Sequence, residues 1–214
     1  LVAGRSLRVR RAVDGEEMET LDGQRRVLCA TDGVIADGDD TPIGIAGVMG
    51  GASTEMSERS TDVLLELAWW DPTTIGVTSR RLGLRSEAST RFEKGVDPEI
   101  ASAAGDRFCQ LAVGLGAKVR PGTVVAHGQV PPRPVTRVRT GRVRRVLGAD
   151  VSRDEIAELL TPIGFTSRPV GDDLDVDLPT WRPDSTTEID LIEEVARTRG
   201  YSSFPPRLPE VRQV

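Results

Sequence analysis

The first part of the chain alternates short hydrophobic and polar stretches, a pattern that predicts β-strands. Residues 7–10, Leu-Arg-Val-Arg, place every second side chain on an apolar face, which is typical of a half-buried strand. Asp-Gly pairs at 14–15 and 22–23 predict turns around a second short strand. Further strand character follows at 27–29 and 34–36. The chain is therefore expected to begin with several short strands.

An apolar run and three helical patterns come next. Residues 63–70 are apolar at nearly every position, which predicts a central strand. Three helices are predicted after this run, over about 72–82, 87–94 and 98–114. The third has an apolar stripe made of Ile100, Ala104, Phe108, Leu111 and Leu115. Residues 118–130 are expected to form one more strand.

Prolines at 131, 132 and 134 mark a boundary, after which the pattern changes. The second part predicts the order β-α-α-β-β-α, which suits a compact winged-helix-like unit. Thr140 is the predicted N-cap of its first helix, and Gly148 lies just past the end of that helix. The segments 152–155 and 185–188 have the form of capping boxes before the next two helices. Leu174, Val176 and Leu178 alternate with aspartates, which predicts a strand with one buried face.

These patterns predict an α+β fold in two domains. A mixed α/β domain is expected over 1–130, a small winged-helix-like α+β domain over 131–204, and a proline-rich linker over 205–214. Because the first residues run directly into a strand, we interpret the chain as a piece of a longer protein, with its first domain truncated at the N-terminus.

Composition narrows the class of protein. The 214 residues are 38% hydrophobic and 29% charged, as in a soluble globular protein. No apolar run approaches the ~20 residues of a membrane span, and no signal peptide opens the chain, so a cytoplasmic location is expected. Cys29 and Cys109 are expected to be reduced, buried thiols. His127 is the only histidine, which argues against histidine-based metal sites and Ser-His-Asp triads.

The charges are unevenly placed. A net charge of −5 argues against a general nucleic-acid coat, yet arginines cluster in two places. The clusters are Arg80, Arg81, Arg85 and Arg91, and Arg133, Arg137, Arg139, Arg142, Arg144 and Arg145. Solvated faces are the simpler interpretation. Contact with RNA or with an acidic partner is the alternative.

Three places could carry chemistry. The first is Glu66, a carboxylate inside an apolar run, where an unpaired charge is costly to bury. It either points outward or pairs with an arginine such as Arg80, or it lines a pocket and accepts a hydrogen bond from a ligand hydroxyl. A site of the latter kind rejects ligands that lack the hydroxyl.

The second place is the glycine-rich segment 47–51, Gly-Val-Met-Gly-Gly. Its glycines allow close approach of a ligand to backbone N–H groups, although a tight turn explains them equally well. The third place is acidic. Asp190, Glu193 and Glu194 share one helix face, and Asp184 precedes that helix. Oxygen ligands of this kind suit Mg²⁺, and a solvated acidic face is the alternative.

Several strings together resemble the β subunit of bacterial phenylalanyl-tRNA synthetase. They are TLDG (20–23), IAGVMGG (45–51), LLELA (64–68), SRRLGLRSEASTRFEKGVDP (79–98), LPTWRPD (178–184) and EIDLIEEVARTRGY (188–201). They occur in the family's order at compatible spacing over nearly the whole chain, and the long ones are highly specific.

The resemblance implies an editing module, formed by the family's third and fourth domains, and then the fifth domain. This module hydrolyses tyrosine wrongly esterified to phenylalanine tRNA. The resemblance gives Glu66 the role of recognising the tyrosine hydroxyl, and it makes Gly50, Ser86 and Ala88 further pocket positions. The family often has threonine where this chain has Ser86, which leaves the pocket shape there open. The family's pocket also uses a histidine and an arginine from a preceding segment, and His127 does not correspond to that histidine.

The resemblance also implies partners and cofactors. Asp184, Asp190, Glu193 and Glu194 match positions assigned to a Mg²⁺ ion shared with the catalytic α subunit. The expected assembly is a heterotetramer of two α and two β subunits that binds phenylalanine tRNA and no membrane. ATP is used by the holoenzyme for aminoacylation and is not bound by this fragment, and no catalytic residue is assigned here. The rival interpretation is a non-catalytic RNA-binding or scaffold module for the α subunit.

Overall fold

The computed structural model describes Val2 and residues 6–204, so the predicted linker over 205–214 lies outside the described residues. The chain divides into two compact units, Leu1–Val125 (unit 1) and Ala126–Val214 (unit 2). Both units combine antiparallel strands with helices, which confirms the α+β class. No helix among the described residues is long and apolar enough to cross a membrane.

Unit 1 begins with strands joined by short turns. Six are formed, β1 (Arg8–Arg11), β2 (Glu17–Glu19), β3 (Arg25–Val27), β4 (Gly33–Ala36), β5 (Pro42–Ile45) and β6 (Met49–Gly50). Four make one antiparallel sheet in the order β1-β4-β5-β6, and β2 pairs with β3 in a separate hairpin. In the larger sheet Val9 lies opposite Ile35, and Gly44 lies opposite Gly50. The predicted strands at the start of the chain are thus confirmed.

Three helices follow in unit 1, α1 (Pro72–Leu82), α2 (Glu87–Phe92) and α3 (Ala101–Gly114). The Asp71 side chain accepts a hydrogen bond from Thr74 N at 2.7 Å and so begins α1, with Pro72 in the first turn. Gly83 ends α1 with a left-handed φ of 62°. The core of the unit includes Val34, Ile45, Val48, Ile75 and Leu84, so that α1 lies on the sheet.

Two predicted strands of unit 1 are absent, and both predictions were wrong. Residues 63–70 and 118–130 have no regular secondary structure, and Val63, Leu64, Leu65 and Leu67 are exposed. Among the described residues, no backbone hydrogen bond pairs 61–70 with a neighbouring strand. A strand needs a partner for its N–H and C=O groups, so an apolar run without one stays irregular. The expected burial of the cysteines was also wrong, because Cys29 and Cys109 are free thiols of intermediate exposure.

Unit 2 has the predicted order of elements. They are β7 (Thr136–Val138), α4 (Thr140–Leu147), α5 (Arg153–Leu160), β8 (Thr166–Val170), β9 (Asp173–Asp177) and α6 (Glu188–Arg199). The antiparallel sheet has the order β7-β9-β8, and β9 places Leu174 and Val176 in the core. Phe165, at 1% exposure, is the largest fully buried side chain. Leu191 and Val195 of α6 complete the core.

The helix ends of unit 2 agree only partly with the sequence. Gly148 ends α4 in the left-handed region, and Ser152 caps α5 by accepting from Glu155 N at 3.1 Å, as predicted. Thr140 is the first residue of α4 rather than its cap, and its hydroxyl donates to Asp172 O instead. The capping box of α6 begins at Thr187, two residues later than predicted.

Candidate functional site

The glycine-rich segment 47–51 and the predicted serine lie in contact. Ser86 is the N-cap of α2, and its Oγ accepts a hydrogen bond from Ser89 N at 3.0 Å. The same Oγ donates to Val48 O at 2.5 Å. A serine is favoured here because its hydroxyl satisfies a free N–H of the first helical turn. The second bond ties the start of α2 to the glycine-rich segment, and so joins two of the predicted pocket elements.

Glycine is required at two positions of this segment by its neighbours, and at Gly51 a Cβ would lie 2.7 Å from the backbone oxygen of Ile43. Gly47 has a φ of 66°, and a Cβ there would lie 2.7 Å from both Trp70 Cδ1 and Ile75 Cδ1. Gly47 therefore serves a tight turn, as one of the two interpretations expects. Gly50 is exposed in β6, and a Cβ there would meet Leu21 Cδ1 at 3.2 Å. Of these three glycines, Gly50 is the one open to a ligand.

Ala88 lies in the first turn of α2 and is exposed, two residues beyond Ser86. Gly50, Ser86 and Ala88 thus belong to connected elements of unit 1, joined by the bond from Ser86 to Val48.

Glu66 lies apart from these three residues. It is in the irregular segment before α1 and lines a cavity of about 220 Å³ whose other walls include Phe92, Val96 and Pro98. Gly50, Ser86 and Ala88 do not line this cavity. The structure therefore brings Ser86 to the glycine-rich segment but leaves Glu66 in a separate apolar cleft.

The cleft changes the acidity of Glu66. Desolvation raises the pKa of its carboxyl above the ordinary value, although the residue as a whole is exposed. Among the described residues, no hydrogen bond or ion pair reaches this carboxyl, so the alternative in which Glu66 pairs with Arg80 is not formed. An unpaired, desolvated carboxyl is suited to accepting or donating a hydrogen bond to a ligand.

A larger cavity lies elsewhere in unit 1. Its volume is about 440 Å³, and Glu17, Met18, Glu19, Thr41, Pro42, Ala52 and Ser53 line it. It contains none of the predicted site residues, and the sequence carries no motif that would have indicated it.

The predicted magnesium ligands in unit 2 are held mainly by arginines. Arg182 Nη2 lies 2.7 Å from Asp184 Oδ2 and 2.6 Å from Glu194 Oε1. Arg197 Nη2 lies 2.5 Å from the other oxygen of Glu194. Asp190 Oδ2 accepts from the backbone N–H of Thr187 at 2.7 Å. Three of the four carboxylates therefore already have donors.

Electrostatics agree with this arrangement. Hydrogen bonds from Arg182 lower the pKa of both Asp184 and Glu194, and the backbone N–H of Thr186 lowers that of Asp190. Within 6–204, no three acidic, histidine or cysteine side chains are arranged to hold a metal ion. As arranged, the four carboxylates have the right donor chemistry for Mg²⁺ but do not fit it as a set. Glu193 is exposed at the edge of this network.

The arginines of the second cluster are largely engaged in ion pairs. Arg137 pairs with Asp175 at 2.5 Å, and Arg139 and Arg142 both pair with Glu188, at 2.7 and 2.9 Å. Such pairs neutralise the charge that phosphate binding would need. The arrangement favours the simpler interpretation of this cluster, a solvated and charge-balanced face.

Two charged residues that organise these regions were not predicted. Arg182 lies two residues before Asp184, and its proximity to an acidic helix face was the available signal. Asp32, fully buried in unit 1, gave no signal because it stands in an ordinary Asp-Gly turn.

Known families match both units. The B3/4 domain matches residues 1–116, and the tRNA synthetase B5 domain matches 136–201. These matches define the class, a two-domain segment of an aminoacyl-tRNA synthetase. The predicted domain limits at 130 and 204 stay predictions.

Curated relatives specify the class further. Phenylalanine–tRNA ligase beta subunits from Geobacter metallireducens, Anaeromyxobacter dehalogenans and Nitratidesulfovibrio vulgaris are 41%, 45% and 45% identical over 99%, 97% and 99% of this chain. The chain belongs to the phenylalanine–tRNA ligase beta subunit family. It spans 27%, 26% and 27% of the length of these relatives.

A solved structure, an N-terminal fragment of the phenylalanyl-tRNA synthetase beta subunit from Pyrococcus horikoshii, is 13% identical with a TM-score of 0.42. The match covers 92% of this chain and 56% of that one.

Proposed function

We propose that unit 1 forms part of a site that hydrolyses tyrosine esterified to phenylalanine tRNA, within a complete phenylalanine–tRNA ligase beta subunit. The observation that carries the proposal is the hydrogen bond from Ser86 Oγ to Val48 O, at 2.5 Å. It fixes a hydroxyl at the start of α2 beside the glycine-rich segment, in which Gly50 is exposed. Membership of the ligase family supplies the substrate class.

The chemistry requires positioning of the ester more than a dedicated base. An aminoacyl ester is already activated, so attack by a water positioned beside Ser86 and the exposed Gly50 needs no dedicated base. Glu66 is the proposed reader of the tyrosine hydroxyl, because its carboxyl has no partner among the described residues and lies in an apolar cleft. Phenylalanine offers that carboxyl no hydrogen bond. The proposal requires the irregular segment 63–70 to bring Glu66 to the Ser86 region when substrate binds.

The whole assembly is also part of the proposal. The α subunit would carry aminoacylation with ATP, phenylalanine tRNA would bind both subunits, and two copies of each would form a heterotetramer. A Mg²⁺ ion shared with the α subunit at Asp184, Asp190, Glu193 and Glu194 requires that Arg182 give up its two carboxylates. No step of the hydrolysis depends on that ion.

The first test is substitution of Glu66 in the complete α and β enzyme. Glu66→Ala removes the hydroxyl reader, so we expect hydrolysis of phenylalanyl-tRNA to rise relative to tyrosyl-tRNA. Preference built on such a hydrogen bond can reach ~10⁴–10⁵, so a loss of about tenfold or more is expected. Single-turnover deacylation of both charged tRNAs measures it. Glu58→Ala, an exposed acid outside the cleft, is the matched control. An unchanged preference in Glu66→Ala would remove Glu66 from this role.

A second candidate function is a scaffold for the α subunit, with no part in hydrolysis. Exposed apolar side chains on α3, including Phe108 at 47% and Leu111 at 51%, favour it, because such surface commonly meets a partner. Deacylation of mischarged tRNA by the complete enzyme separates the two functions. If the chain is only a scaffold, wild type and the Ser86→Ala variant should deacylate mischarged tRNA at equal rates.

A further inference from the structure

Asp32 is a fully buried carboxylate between β3 and β4, at 0% exposure. It accepts hydrogen bonds from Cys29 N at 2.9 Å and from Thr78 Oγ1 at 2.9 Å, and it is ion-paired with Arg81. A buried carboxylate is costly unless it is paired and hydrogen-bonded. The Asp32 carboxylate has such partners, and two of them, Thr78 and Arg81, belong to α1. Asp32 therefore anchors that helix to the strands.

The end of α1 is fixed by the residue next to Thr78. Ser79, at 5% exposure, donates from its Oγ to Leu84 O at 2.5 Å, and Leu84 N donates to Ser79 O at 2.9 Å. These two bonds close the turn through Gly83. Because Thr78 and Ser79 are adjacent, any displacement of Thr78 from Asp32 is transmitted to this turn.

The turn leads directly into the Ser86 region. Ser89 is fully buried, and its Oγ accepts from Ser86 N at 3.0 Å and donates to Ser86 O at 3.1 Å. Ser86 Oγ then donates to Val48 O. Hydrogen bonds, joined by the short covalent steps from Thr78 to Ser79 and from Leu84 to Ser86, thus connect Asp32 through α1 and the following turn to the glycine-rich segment.

We propose that Asp32, acting through Thr78, is a positioning residue for the Ser86 hydroxyl and the glycine-rich segment. The proposal rests on the hydrolytic function proposed above. Asp32 itself is buried and touches no substrate. Its role is to hold α1 in the register that brings the N-terminus of α2 to Val48. A displacement of about 1 Å in such a group can cost about a hundredfold in rate.

Thr78→Val tests the proposal in the complete α and β enzyme, because valine keeps the shape of threonine and removes the donor to Asp32. We expect kcat for tyrosyl-tRNA deacylation to fall about tenfold, with KM within about twofold and aminoacylation unchanged. Thr78→Ser keeps the hydroxyl and is expected to recover the rate to within about threefold. Thr73→Val, at an exposed position of the same helix, is the control and should match wild type.

Hydrogen–deuterium exchange of the same enzymes gives a readout that does not depend on hydrolysis. In Thr78→Val, peptides covering 46–51 and 84–90 are expected to exchange about tenfold faster, with peptides of unit 2 unchanged. Thr78→Ser should restore their protection. Unchanged exchange in both peptides overturns the proposal, as does faster exchange spread over all of unit 1, which would indicate general loss of stability.

The two readouts separate the two proposals. If wild type fails to deacylate tyrosyl-tRNA, the proposed function fails, and exchange alone decides whether Asp32 positions the Ser86 region. If wild type deacylates, a rise in KM at constant kcat in Thr78→Val overturns the positioning role. Loss of kcat with faster local exchange, both recovered by Thr78→Ser, supports it.

Discussion

Among the residues that the structure describes, the apolar core of unit 2 takes side chains from the sheet and from α4, α5 and α6, whereas the apolar core of unit 1 takes none from α3. The apolar stripe predicted for α3 is present, but Phe108, Leu111 and Leu115 face solvent. Both units form the helices that their local patterns predict. The two units differ in whether other residues of the chain pack on the apolar faces of those helices.

Helix formation and helix burial therefore depend on different parts of a sequence. The helical pattern of α3 lies within fourteen residues, while its cover must come from residues elsewhere. The exposed apolar side chains of α3 and of the irregular run 63–67 form a surface of the kind that commonly meets a partner.

A pair of phenylalanine substitutions should show this difference most strongly. Phe165→Ala, in the core of unit 2, is expected to lower the free energy of unfolding by about 3–5 kcal/mol. Phe108→Ala, on the exposed face of α3, should change it by less than about 0.5 kcal/mol in this chain. Urea denaturation measures both. In the complete subunit the cost of Phe108→Ala should rise to several times that value. Equal costs for the two variants in this chain would contradict the comparison.

The second-largest expected change in unfolding free energy comes from an ion pair in unit 2. Arg182→Ala leaves Glu194, whose side chain is 9% exposed, with one of its two arginines, and we expect a loss of about 3 kcal/mol in unfolding free energy. Glu193→Gln changes an exposed neighbour on the same helix and should stay within about 0.5 kcal/mol. Thermal unfolding followed by circular dichroism compares them. A similar small change in both variants would show that the Arg182 network contributes little.

The smallest expected effect is a difference between the two units in how their stability depends on pH. The pKa of Glu194 is lowered by Arg182, so its contribution to stability is present above the ordinary carboxyl pKa and is lost as pH falls through the lowered value. The pKa of Glu66 is raised by desolvation, so stability falls as pH rises through the raised value. Glu194→Gln should weaken the loss of unfolding free energy at acid pH. Glu66→Gln should weaken the loss of unfolding free energy as the pH rises toward neutral. Profiles parallel to wild type would contradict these assignments.

Elements with local signals were predictable from the sequence. Asp71, Pro72 and Gly83 define both ends of α1, because a cap, a fixed φ and a left-handed residue act within one helical turn. The hairpin turn at Gly171 and the alternation in β9 are of the same kind. The family resemblance makes Ser86 and Gly50 pocket positions, which stays a prediction, and the hydrogen bond from Ser86 to Val48 brings Ser86 to the glycine-rich segment.

Features that depend on distant partners were not predictable. The apolar character of 63–70 indicated burial but could not indicate which strand would pair with it. Thr187 rather than Ser185 begins the capping box of α6, because three hydroxyl residues in succession offer equivalent local caps. The Asp32 network joins residues 46 and 49 positions apart, and neither its composition nor its spacing forms a recognisable motif.

The packing of the Trp70 indole against Gly47 limits how far Glu66 can move from the glycine-rich segment. Trp70 Cδ1 and Ile75 occupy the space that a Cβ on Gly47 would need, so this tryptophan is anchored beside the glycine-rich segment. Three residues separate it from Glu66, and each of the four steps along an extended chain spans at most ~3.6 Å, so the two Cα atoms are at most about 14 Å apart. Whatever path the irregular segment takes, the backbone of Glu66 therefore stays within that distance of the backbone of the tryptophan that packs on the Gly47 turn.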